Sequence, residues 1–134
     1  MWLFEDKIVS DEDDFSDYVG FVYLITNKLN GYRYIGKKLL KFSRTKQVKG
    51  KKKKVKVDSD WKTYFGSNEA LKEDVAEFGE DNFERKILRF CKTKGECSYY
   101  EAKYQFEFDV LLRTDFYNSW ISCKIHQSHL KNLQ

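Results

Sequence analysis

Proline is absent from the 134-residue chain, histidine occurs twice, and cysteine occurs three times. Without proline no stiff Pro-rich linker divides the chain, and the length fits one domain. No apolar run approaches the roughly 20 residues of a membrane span, so no membrane partner is expected. Cys91, Cys97 and Cys123 are odd in number and form no CxxC pair, which suits a reducing cytoplasm better than a disulfide framework. The opening stretch, MWLFEDKIVSDEDD, lacks the basic start and long apolar centre of a secretory signal. Cys123, His126 and His129 make C-x2-H-x2-H, but the spacing is tight and no fourth ligand is evident, so zinc is not expected.

Aromatic residues make up 17% of the chain and supply bulk for a core. The formal charge of +4 conceals an asymmetry. Eleven Lys or Arg and no acid lie between Lys37 and Lys56, leaving 14 basic against 21 acidic groups elsewhere. Residues 1–19 hold seven of those acids against Lys7 alone. A chain that is acidic apart from one concentrated basic segment is expected to meet a polyanion there. Lys37, Lys38, Lys41, Lys46, Lys49, Lys51, Lys52, Lys53, Lys54 and Lys56 are the candidate contacts. The acidic lead-in, with DEDD at 11–14, is expected to be solvated or to cover the lysines until the polyanion displaces it.

The strand pattern begins at Gly20. FVYLIT is β-branched and aromatic, NKLNG is a turn, and YRYIG returns, which reads as an antiparallel hairpin. KKLLKFSRTKQ reads as a short helix, and VKGKKKKVKV as a lysine-rich loop or protruding ribbon. A helix follows, capped by Ser67 or Asn68, with Ala70, Leu71, Val75 and Phe78 as its apolar stripe and Gly79 as its stop. NFERKILRF reads as a third strand. Thr93 and Glu96 have capping-box spacing and open a helix to about Leu112. The fold expected is α+β, a small three-stranded sheet flanked by helices. Its domain would span 20–121, with a lysine-rich insertion at 45–57 and a partly helical tail at 122–134.

On the second helix Cys97, Tyr104, Phe108 and Leu111 recur at helical spacing, and Glu101 falls inside that stripe. A carboxylate there must be ion-paired or lie where the core opens into a cleft. Phenols, cations and one half-buried carboxylate suit phosphodiester chemistry, with a hard divalent cation held through oxygen. Trp61 and Tyr64 read as core closure more readily than as base-stacking groups.

The hairpin resembles the signature of the GIY-YIG nuclease superfamily. Phe21-Val22-Tyr23 stands at the first half of that signature with its tyrosine kept, and Tyr34-Ile35-Gly36 matches the second half. Arg44, Glu101 in SYYEAKYQFEFDVL and Asn118 in FYNSW follow in the family's order. DWKTYFGSNEALKEDVAEFGEDNFERKIL is similar to phage-type freestanding homing endonucleases. The resemblance implies Mg2+- or Mn2+-dependent hydrolysis of DNA by a phage-encoded enzyme acting in the host cytoplasm. It implies Tyr23 as general base or water-orienting group, Tyr34 as positioner of water or phosphate, Arg44 as phosphate ligand and Glu101 as metal ligand. Lys37 or Lys38 would lower the pKa of a neighbouring tyrosine, and Asn118 would shape the site or cap the following segment. The family's histidine falls at Gly66, with Tyr64 nearby as a substitute, so a catalytically weakened nucleic-acid-binding protein is the alternative. Homing enzymes usually carry a separate DNA-recognition domain, and the lysine segment is expected to take over part of that work.

Overall fold

A computed structural model describes residues 1–10 and 12–133, apart from the side chains of residues 44, 46, 48 and 132. Among the strands and helices are β1 (Trp2–Phe4), β2 (Lys7–Ile8), β3 (Gly20–Asn27), β4 (Arg33–Leu39), β5 (Lys41–Val48), β6 (Lys51–Asp58), α1 (Glu69–Phe78), β7 (Phe83–Cys91) and α2 (Lys94–Glu107). Five strands form a mixed sheet in the order β2-β1-β7-β3-β4, and β5-β6 form a separate antiparallel ribbon. The expected three strands are the β7-β3-β4 part of that sheet. The two further strands come from the acidic lead-in, where Glu5 and Asp6 turn with φ of 50° and 64° between β1 and β2. Strand β1 pairs parallel with β7, and Trp2 is buried against Phe21 and Tyr23. Removing this segment would therefore open the core as well as delete charge.

The period-2 alternation of β3 divides the interior. Phe21, Tyr23 and Ile25 enter one cluster with Trp61, Leu71 and Phe83, under α1. Val22 enters a second with Ile35, Cys91, Cys97, Val110 and Phe116, under α2. Trp61 thus closes the core, and its carbonyl accepts the Trp2 indole N–H at 2.7 Å. Register shifts between Val22 and Tyr23, where β7 passes from Arg89 to Ile87, so a bulge sits beside the first tyrosine of the hairpin.

Several caps match the sequence reading. Asn68 caps α1 by accepting the Leu71 N–H, Gly79 ends it at φ 88°, and Thr93 accepts the Glu96 N–H at 3.1 Å. The Glu96 carboxylate accepts from Lys92 N, a residue earlier than the capping box requires. Ala70 and Phe78 lie outside the buried stripe, which is centred on Leu71. Helix α2 ends at Glu107, before the expected Leu112. Asp109 at φ 52° then redirects the chain, so Val110 is buried and Leu111 is 48% exposed. The residues read as a short helix after β4 are strand. Leu40 leaves the sheet with its N–H on Val19 O, and β5 pairs throughout with β6. Lys49 and Gly50 close this ribbon at φ 53° and 76°, a two-residue loop of positive φ that matches strand twist.

Strand β4 is an outer strand of the sheet, opposite β2, and an unpaired strand edge must find other partners. Arg33 N–H donates to Asp115 O, and Arg33 O accepts from Tyr117 N. Two residues on, the Asn118 amide clips both sides of one residue, accepting Ile35 N–H at 3.1 Å and donating to Ile35 O at 2.8 Å. Gln105 of α2 donates to the same carbonyl at 3.0 Å. Asn118→Ala should leave the buried Ile35 N–H unpaired and cost about 1–3 kcal/mol in urea unfolding. Across the hairpin Tyr23 pairs with Gly36, where an added Cβ would lie 2.5 Å from the Tyr23 hydroxyl and 2.8 Å from the Tyr34 ring. Gly36→Ala should force both rings to shift and cost about 1–3 kcal/mol in the same measurement.

Candidate active site

Moving along the β4 edge from Ile35 by the pleat's two-residue step reaches Lys37, whose backbone N–H hydrogen-bonds the Glu101 carboxylate. Glu101 lies one helical turn before Gln105, so the same face of α2 meets Ile35 and Lys37 in succession. The anomalous acid of the helical stripe thus lies at a sheet edge, where the core opens. A cleft of about 160 Å3 is lined there by Tyr34, Ser67, Glu101, Gln105, Asn118 and Trp120, among others. Burial raises the Glu101 carboxyl above its ordinary range, and the Lys37 ammonium and backbone N–H pull it partly back. Lys37 Nζ is held by Ser98 Oγ at 2.7 Å, one turn before Glu101 on α2.

Gln105 is the residue that sequence reasoning missed. Its side chain is buried, its amide nitrogen serves Ile35, and its Oε1 has no hydrogen-bond partner. The spacing Glu101-x3-Gln105 on one helical face was the available signal. The cleft therefore offers a carboxylate close to a phenol, with the buried, unpaired Gln105 amide in its wall. An oxygen-only set of this kind suits a hard cation that keeps several waters. Among the described residues, no three His, Cys, Asp or Glu side chains cluster to hold an ion. Asp11 of the DEDD run lies outside the described residues. His126 Nδ1 is within 2.8 Å of Ser128 Oγ, and His129 Nδ1 accepts the His126 N–H.

The two tyrosines occupy different positions. Tyr34 lines the cleft with its hydroxyl 3.5 Å from Ser67 Oγ. Tyr23 is wholly buried behind it, ring centroids 6.1 Å apart, and bonds to Tyr64. Burial drives the Tyr23 phenol well above its usual range, with Tyr64 and Tyr34 adding to the rise. Burial also raises Tyr34, partly opposed by the Ser67 hydrogen bond. The expectation that Lys37 or Lys38 lowers a tyrosine pKa is therefore not met, because burial of the phenols dominates. Lys38 turns inward to Asp60 at 2.6 Å and over the Tyr64 ring at 4.0 Å. Tyr64 is held in place from behind. Buried Arg85 donates to Lys62 O and Tyr64 O and packs on Trp2 and Phe65, and burial lowers its pKa to about 10. Gly66 sits at φ 93°, a backbone that strains any other residue, and Leu71 Cδ2 lies 2.7 Å from where a Cβ would stand, so a histidine there would strain the backbone and shift Leu71.

Tyr34, Lys37, Glu101 and Asn118 thus converge on the β4 edge, with Tyr23 in the layer behind. Arg44 does not join them through its backbone. It lies on β5 opposite Val55, and its side chain, like that of Lys46, is outside those described. Lys41, Lys49, Lys51, Lys52, Lys53, Lys54 and Lys56 are exposed on or at the tip of the ribbon. Of the acidic lead-in, Asp14 and Asp17 border the foot of the ribbon near Lys41 and leave its outer length uncovered. A larger cavity of about 760 Å3 beside β1, β2 and β7 contains none of the predicted site residues.

A family model described as "Putative endonuclease segE, GIY-YIG domain" matches residues 2–121. "Putative endonuclease segE" of Enterobacteria phage T4 is 35% identical over 83 residues, 62% of this chain. The match takes in 32% of that relative's length, so the chain spans well under two thirds of it. No solved structure matches. With the family model covering residues 2–121, nearly all of the fold, the chain belongs to the segE-type GIY-YIG endonuclease family.

Proposed function

We propose that the protein hydrolyses DNA phosphodiester bonds with one divalent cation, Mg2+ or Mn2+, held at Glu101, as a homing- or genome-competition-type phage endonuclease working in the host cytoplasm. The observation that carries this reading is the half-buried Glu101 carboxylate, opening onto a cleft beside Tyr34 and the unpaired Gln105 Oε1. Glu101 is the cation ligand, with Gln105 one turn on in the wall of the cleft. Bound there, the cation supplies positive charge to the scissile phosphate and the leaving oxygen.

The chain's own groups do the rest. Tyr34 stays a neutral phenol at neutral pH and orients the attacking water through its hydroxyl. Tyr23 and Tyr64 fix the Tyr34 ring from behind and act as positioning residues. Lys37, tethered to Ser98, meets a phosphate oxygen beside Glu101. Asn118 acts on the reaction through Ile35, by holding the β4 edge. Arg44 and the ribbon lysines bind phosphates along the duplex, which makes binding steeply salt-dependent.

Two observations favour a second reading, a nucleic-acid-binding accessory protein with a weakened site. Glycine stands at the family's histidine position with a φ that disfavours any side chain, and burial holds the phenols of Tyr23 and Tyr34 above their usual range. A supercoiled-plasmid assay with Mg2+ or Mn2+ separates the two. Nicking that EDTA stops supports the enzyme, and tight binding without cuts supports the accessory role.

Glu101→Gln should abolish nicking while leaving duplex binding within a few-fold of wild type. Full activity in that variant overturns the assignment. The same substitution tests the electrostatics without metal. A carboxyl whose folded-state pKa is raised costs stability where it is ionised, and that cost disappears as pH falls through the raised value. In EDTA, Glu101→Gln should therefore raise Tm at neutral pH by a few degrees, roughly 4 °C for each kcal/mol relieved. The gain should shrink toward zero as pH falls through the carboxylate range. Equal gains at both pH values would show that Glu101 carries no burial penalty.

A further inference from the structure

The ribbon has two faces of different chemistry. Cross-strand partners in an antiparallel pair share a face, and successive residues alternate between faces. The register pairs Ser43 with Lys56, Thr45 with Lys54 and Gln47 with Lys52, so these six stand together on one face, and all are exposed. One row of that face is cationic, and the other carries uncharged hydrogen-bonding groups. Among the described residues none of the Ser43, Thr45 or Gln47 side chains has a hydrogen-bond partner. A clamp that only needed phosphate affinity would gain more from lysine in both rows.

We propose that this face reads base sequence in the major groove of duplex DNA. Ser43, Thr45 and Gln47 meet base edges, while Lys52, Lys54 and Lys56 hold the adjacent phosphates. The inference rests on the nuclease reading for its choice of DNA, but it is tested by binding. A two-stranded ribbon fits a groove about 12 Å wide, and a hydroxyl or amide can both donate to and accept from base edges there. Alternate strand residues project roughly 6.8 Å apart, close to two base-pair steps, so the three polar groups span about five base pairs.

The foot of this face fixes where the read segment lies. Lys41, Lys56, Lys92 and Lys94 border a recess of about 340 Å3 between the ribbon and the start of α2. From Lys94, α2 runs seven residues to Glu101, about 10 Å at 1.5 Å per residue, past the Ser98–Lys37 contact. Together with a ribbon roughly 27 Å long, this puts the read base pairs to one side of the cleaved bond, within about one turn of duplex.

The test is selection from a random duplex library by the full-length wild-type chain in EDTA, beside two exposed-surface variants checked for folding by circular dichroism. Wild type should enrich a motif of about five base pairs with roughly tenfold preference at its best positions. Thr45→Ala/Gln47→Ala should flatten that preference while keeping affinity for unrelated duplex within about threefold. Lys52→Ala/Lys54→Ala/Lys56→Ala should weaken every duplex alike and lower the log–log salt slope by about 3. No enrichment by wild type, an unchanged motif in the Thr45/Gln47 variant, or equal preference for single-stranded RNA overturns the proposal. Enrichment without metal-dependent nicking would sink the nuclease reading and leave the ribbon assignment standing. Nicking without enrichment would do the reverse.

Discussion

The outer edge of β4 is the constraint on which the site depends. A sheet edge exposes a row of backbone donors and acceptors that must be paired, hydrated or covered. Here the row is filled in turn by residues 115–117 at Arg33, by Asn118 and Gln105 at Ile35, and by Glu101 at Lys37. Asn118, Gln105 and Glu101, which satisfy the edge at Ile35 and Lys37, also line the cleft. Asn118 and Gln105 converge on one peptide, and that convergence ties the chain after α2, the helix and the hairpin into one unit. Glu101 is then carried to its position by helical pitch alone, one turn from an anchored neighbour. Its aim does not depend on a flexible loop.

That arrangement sets function against stability. A carboxylate at a half-buried edge, with one backbone donor and a tethered lysine, is ionised less readily than in water. The buried, unpaired Oε1 of Gln105 is a second cost at the same spot, since a desolvated acceptor without a donor forfeits its hydration. Both costs sit on one face of α2 at the wall of one cleft, and a hard cation with its water shell held at Glu101 would relieve the first. Phenols locked by packing are the complementary device. Burial makes Tyr23 and Tyr34 poor bases, and Tyr23 is packed between the Tyr34 and Tyr64 rings.

How much of this was legible in the sequence follows from how local each signal is. The β3–β4 hairpin, the Asn68 and Thr93 caps and the Gly79 stop are short-range features, and all appear where their residues predict. Glu101 was legible as a polar intruder in an apolar stripe. The β1–β7 pairing was not, because parallel pairing of Trp2–Phe4 with residues 85–87 is settled by packing across some 80 residues of chain. Leu111 failed as a core residue because one left-handed residue, Asp109, shifted the phase of all that follows. The Gln105 role was missed because a buried glutamine looks like any polar helical residue until the strand edge beside it is known. In the ribbon the Lys49-Gly50 turn was a local signal, masked by the density of lysine around it.

The ribbon poses the opposite problem from the core. A two-stranded hairpin standing apart from a sheet is marginal on its own. This one places Lys52, Lys54 and Lys56 along one strand face, about 7 Å apart, so like charges repel down its length. Its folding is supported at the foot, where Leu40 is buried, Ser59 bonds to Leu39 O, and Phe42 lies under the Lys38 ammonium. Toward the tip such anchors give way to exposed lysine, and charge repulsion grows relative to packing. A polyanion laid along the ribbon would remove that repulsion, so ordering of the tip and binding of the duplex favour one another. Lysine on β6 supplies this coupling for any sequence. The uncharged row on β5 adds little to it, and its chemistry is spent on telling one base pair from another.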